Sequence, residues 1–117
     1  MKYLFLHCTA DLYGASRMML RTINKLVEDN HSVHVVLPYS GPLKDALKKN
    51  NIQSKVVSMP CQELFDKQPE EYRKDILEEN SLIVTIEAGS ISSWQKYVKN
   101  SGINVGIDKF GESAPYK

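Results

Sequence analysis

Tyr3-Leu4-Phe5-Leu6-His7 and Val33-His34-Val35-Val36-Leu37-Pro38 bracket the stretch that decides the fold. Each is a short run of large apolar residues without the alternation of a strand that has one wet face, so each reads as a strand buried on both sides. Pro38 stops the second run because it offers no amide hydrogen to a ladder. Between them, Cys8 to Gly14 is a polar loop, and a helix begins near Ala15. Its apolar positions are Ala15, Met18, Met19, Ile23, Leu26 and Val27, with Arg21, Asn24, Lys25 and Glu28 opposite. Those steps of three and four make one helical face, and Asp29-Asn30 ends the helix. Strand, helix, strand within 38 residues is the unit of a parallel sheet.

The unit repeats downstream. Gly41-Pro42 opens a helix with proline at its first position, where the missing N–H costs nothing. Leu43, Ala46 and Leu47 face inward, and Asn50-Asn51 is a left-handed stop. A third strand is expected over Lys55 to Met59, then a helical turn within Cys61 to Lys67. Gln68-Pro69-Glu70-Glu71 opens a helix running to Leu77, with proline and two acids suited to its first turn. Leu82 to Ile86 reads as a fourth strand. A short helix follows, capped by Ser90 or Ser92 and carrying Trp94, Tyr97 and Val98. Ile103 to Ile107 reads as a fifth strand of open direction, and Phe110 to Lys117 as loop. The expectation is one α/β domain of three layers. Its sheet is mainly parallel and five-stranded, in the order 3-2-1-4-5, with right-handed crossovers.

At 117 residues with 42% apolar and 25% charged, the chain is sized and composed for one globular domain. Fifteen basic and fourteen acidic residues leave a charge of +1, which calls for neither nucleic acid nor an anionic membrane. The apolar run at the start is four residues long, too short for a signal peptide, and no stretch approaches the length of a membrane span. A cytoplasmic protein is therefore expected. Cys8 and Cys61 have no metal spacing and read as reduced, partly buried thiols.

Two resemblances follow from longer motifs. Leu4-Phe5-Leu6-His7, then Asp11-Leu12-Tyr13-Gly14-Ala15-Ser16-Arg17, then Val33 to Pro38 with Gly41-Pro42-Leu43, resemble the first Rossmann-like domain of two-domain retaining glycosyltransferases. From about residue 55 the chain resembles the carboxy-terminal domain of transketolase. That match is carried by Val56-Val57-Ser58-Met59-Pro60-Cys61, Glu63 to Gln68, Glu71-Tyr72-Arg73, Ile86-Glu87-Ala88-Gly89, Trp94, Lys96-Tyr97-Val98 and Phe110 to Pro115. The two resemblances meet near residues 54 to 56, which implies a chimera-like join of parts 1–54 and 55–117 within one domain. The first resemblance implies that its nucleotide-sugar is held mainly by a second domain. The second implies that thiamine diphosphate and its metal are held by two preceding domains. On this reading the chain is a non-catalytic Rossmann-like fold with no cofactor and no required partner. The alternative is a partial enzyme, either a glycosyltransferase acceptor-domain fragment or a transketolase carboxy-terminal fragment, that acts only with partner chains.

The candidate sites are few. Gly14, Ala15 and Ser16, with Arg17 beside them, open a helix whose free amides and dipole suit an anion. The alternatives are a structural turn and a surface arginine. His7 and Glu87 end strands at the sheet edge where open α/β sheets bind ligands, and a Glu–His pair there would suit acid–base work. The alternative is a pair of strand-end side chains bonded locally. His31 and His34 lack cysteine or carboxylate at metal spacing, so no metal site is expected. Trp94, Tyr97 and Phe110 could mark an interface, and an exposed apolar patch would favour self-association.

Overall fold

The computed structural model of the chain describes residues 1–58, 61–87, 89–98 and 101–109. The elements run β1 (Lys2–His7), α1 (Gly14–Glu28), β2 (Ser32–Leu37), α2 (Pro42–Lys49) and β3 (Gln53–Val56), then α3 (Gln62–Asp66), α4 (Glu70–Leu77), β4 (Leu82–Ile86), α5 (Gln95–Val98) and β5 (Ile103–Val105). The five strands form one parallel sheet in the order β3-β2-β1-β4-β5. The expected order holds, and the last strand, whose direction was open, pairs parallel to β4. Phe110 to Lys117, read as loop, lies outside the described residues.

The pleat divides the core. Phe5, Val33, Val35, Leu37 and Val84 pack on one face with Met19 and Ile23 of α1 and Leu43 and Leu47 of α2. Leu4, Leu6, Val36 and Ile83 pack on the other with Phe65, Ile76, Tyr97 and Val98 from α3, α4 and α5. The helices before residue 54 thus cover one face and those after it cover the other. Strand β1 serves both, because its successive side chains point opposite ways.

Local chemistry accounts for most boundaries. Pro42 stands at the first turn of α2, and Asn30 and Asn51 stop α1 and α2 with φ of 65° and 57°. Three expectations shift. The third strand begins at Gln53 and ends at Val56, because its ladder follows His34 to Leu37 of β2. The fifth ends at Val105. On α1 the buried face is Ser16, Met19 and Ile23, with Leu20 and Leu26 partly covered, while Ala15, Met18 and Val27 are exposed. The apolar stripe is wider than the helix–sheet contact, and a small buried serine, Ser16, meets His7 of β1.

Candidate functional site

All parallel strands point their carboxyl ends the same way, so the loops after β1 and β4, on either side of the point where the strand order reverses, gather the polar groups of one edge. His7 ends β1 in register with Ile86 of β4, and Glu87 follows directly. His7 is 6% exposed. Its Nε2 lies 3.0 Å from Ser16 Oγ, and Ser16 in turn donates to Asp11 Oδ1 at 3.3 Å. A hydroxyl has one hydrogen, so with that hydrogen on Asp11 the imidazole carries its own proton on Nε2 and donates it to Ser16. Nδ1 is then a bare acceptor, buried and without a partner among the described residues. Burial holds the His7 pKa below its ordinary value, against the opposing pull of Asp11 and Glu87.

Asp11 sits where an anion was expected. Its carboxylate accepts from Thr9 Oγ1 at 2.7 Å and from the Tyr13 amide at 3.1 Å, beside the first turn of α1. These bonds, with Thr9 first, hold its pKa below the usual aspartate value. Gly14 and Ala15 are exposed at that turn, and Ser16 is buried. Arg17 folds back, its Nε donating to Leu12 O at 2.7 Å. The four residues named for anion binding are together, but the chain's own carboxylate stands beside them.

Glu87 is half-buried and accepts from Trp94 Nε1 at 3.2 Å. His7 and Glu87 thus share the edge, each bonded to a different partner. They border two hollows. One, about 340 Å³, lies under Phe65, Trp94 and Tyr97 on the α5 side. The other, about 420 Å³, lies between Asp11, Tyr13 and Ser16 and the β5 margin at Val105 to Ile107. A broader depression of about 870 Å³ lies away from this edge, along α2 and the start of β3, among Lys44, Lys48 and Asn51. Trp94 and Tyr97 pack with Phe65 as neighbouring rings, and Tyr97 Oη donates to Asp66 at 2.8 Å. They belong to the core of that side. Ser90 accepts from the Ser92 amide and donates to Asp108, which ties the turn ahead of α5 to the segment that follows β5. Cys8 and Cys61 are free and exposed rather than partly buried. Among the described residues no three His, Cys, Asp or Glu side chains converge to hold a metal ion.

Sequence reasoning missed Asp11, Thr9 and Glu78. The signal for Asp11 was an aspartate a few residues ahead of a helix, where such side chains bond the backbone two residues on. Glu78 gave no signal, since its partners come from three strands.

Comparison with known proteins assigns the chain. The model of the transketolase-like C-terminal domain matches residues 42–117. The chain belongs to that family. It is 42% identical over 73 residues to the transketolase of Aquifex aeolicus, covering 62% of this chain and 11% of that protein. It is 47% identical over 72 residues to the chloroplastic transketolase of Zea mays, covering 61% of this chain and 11% of that protein. It is 50% identical over 62 residues to the transketolase of Dictyostelium discoideum, covering 52% of this chain and 9% of that protein. The chain spans about a tenth of the length of these relatives. The family match takes in α2 and all of β3, which the sequence reading had divided at residue 54. No helix among the described residues is long and apolar enough to cross a membrane.

Proposed function

We propose that this chain acts as a transketolase C-terminal-type domain that carries no reaction alone and contributes to transketolase activity only when joined by the other domains of such an enzyme. One observation carries the reading: within the family-matched part, the edge strand and its extension leave Ile103, Val105 and Ile107 about half exposed or more, at 50%, 51% and 61%. A row of large apolar side chains on a sheet margin is what a surface between domains presents. In the isolated chain the same row favours self-association. A cytoplasmic setting fits two exposed free thiols.

The test is complementation. A transketolase lacking its C-terminal domain is assayed with and without this chain. A gain in activity over either component supports the reading, and no gain from a chain shown to be folded contradicts it.

A second reading is a non-catalytic fold chimera. It is favoured by the family match beginning at residue 42, while β1, in the part that resembles glycosyltransferases, is the central strand. Under that reading only residues 1–41, ahead of the family match, replace elements that the transketolase domain has elsewhere, and the chain ignores partner domains.

A further inference from the structure

The hollow of about 340 Å³ on the α5 side lies at the carboxyl edge of the sheet. Cys8, Pro38 and Glu87, which follow β1, β2 and β4, all border it, and open α/β sheets bind ligands at that edge. Its size is within the range of small-molecule sites. Much of its wall is apolar, from Leu6, Val57 and the rings of Phe65, Trp94 and Tyr97. Trp94 gives its N–H to Glu87, and Tyr97 its O–H to Asp66. What those rings have left to offer a ligand is apolar surface.

The second observation concerns the thiols. Cys8 and Cys61 are the two cysteines of the chain, both are free and exposed, and both border this same hollow. One follows β1 and the other precedes α3, so folding brings them to one hollow from separate parts of the chain. A thiolate is a soft, strong nucleophile whose selectivity depends on access. An apolar cavity with nucleophiles at its wall suits a ligand with an apolar body and an electrophilic carbon.

We propose that this hollow takes up a small apolar α,β-unsaturated carbonyl compound, and that Cys8 and Cys61 compete to add to it. The thiol loses its proton to solvent and the sulfur bonds to the β carbon. The C=C bond becomes single, a proton from solvent adds at the α carbon, and nothing leaves. Because both thiols border the same space, a body bonded to one excludes a second from the other. The inference does not depend on the transketolase reading, and its test uses the chain alone.

The reduced full chain is treated with N-benzylacrylamide or with acrylamide, which share one reactive group, and adducts are counted and located by mass spectrometry. Each rate is scaled by that compound's rate with glutathione. On this scale the benzyl compound should react about tenfold or more faster than acrylamide. It should also saturate with concentration, stop at one adduct per chain, and be slowed by N-benzylpropionamide, which has the same body and no C=C bond. Acrylamide, without that body, should give two adducts, and in urea the advantage of the benzyl compound should vanish. Cys8→Ser and Cys61→Ser should each still take one benzyl adduct. Equal scaled rates on the folded chain would overturn the proposal. So would two benzyl adducts forming independently, no protection by N-benzylpropionamide, or a serine variant that takes none.

Discussion

His34 Nδ1 donates to Glu78 Oε1 across 2.6 Å, joining β2 to the turn that follows α4. The same carboxylate accepts from Ser81 Oγ at 3.1 Å and faces Lys2 Nζ at 3.4 Å and Lys55 Nζ at 3.7 Å. One glutamate side chain, 8% exposed, thus gathers β1, β2 and β3 at the amino edge of the sheet. Its backbone is left-handed at φ 45°, a conformation that costs a non-glycine residue about 1 kcal/mol or more. The surrounding contacts offset that cost.

Glu78→Gln should therefore destabilise the fold by about 1–3 kcal/mol in urea unfolding at neutral pH. Burial pushes the Glu78 pKa up, but the hydrogen bonds from His34 and Ser81 and the charges of His34 and Lys2 together outweigh it and hold the pKa below the usual glutamate value. A depressed carboxylate pKa gives stability that is present above its unfolded value and lost as pH falls through the folded one. The gap between wild type and Glu78→Gln should narrow below pH 4.5. A gap that stays constant down to pH 3 would show that the charge is not what matters.

His7 makes a second acid-sensitive term. Its folded pKa lies below 6.5, so below that pH the unfolded chain takes up a proton that the folded chain refuses, and stability falls. Nitrogen-15 NMR should show the Nε2–H tautomer at neutral pH. Ser16→Ala should cost about 1–3 kcal/mol by leaving a buried N–H unmet. The opposite tautomer would reverse the assignment of the Ser16 hydrogen.

Two glycines should behave oppositely. A Cβ on Gly102 would lie within 2.6 Å of Val98 Cγ1, Val98 O and Ile83 O, whereas one on Gly14 would meet nothing within 4 Å. Gly102→Ala should lose about 1–3 kcal/mol, and Gly14→Ala should be neutral or gain up to about 1 kcal/mol. Thermal unfolding distinguishes them.

Leu4 is fully buried in the cluster formed with α3, α4 and α5, though it belongs to the first strand. Leu4→Ala should cost about 2–5 kcal/mol. Met18 on α1 is 60% exposed, and Met18→Ala should change stability by no more than about 0.5 kcal/mol. A large loss at Met18 would restore it to the buried face that helical spacing alone assigns.

The contrast at Met18 shows where sequence was sufficient. Continuous apolar strands, Pro42 and the asparagine stops are local signals, and the element order and sheet order follow from them. Which of two adjacent apolar positions on α1 meets the sheet depends on the tilt of the helix, and the spacing does not carry it. The site was half legible. His7 and Glu87 sit at the expected edge because strand ends are local features. The partners that decide their chemistry are less so: Asp11 was a short-range signal passed over, and the Trp94 contact to Glu87 depends on how the turn before α5 folds back.

The most direct test of the account is whether residues 1–54 and 55–117 unfold together. Trp94, the one tryptophan, reports on the second part by fluorescence, and the amide signals of Ile23 and Val35 report on the first. Because β1 is packed on both faces and paired with both β2 and β4, the two probes should give one coincident urea transition. Two separated midpoints, with Ile23 and Val35 losing structure while Trp94 stays native, would contradict a single domain built from both parts.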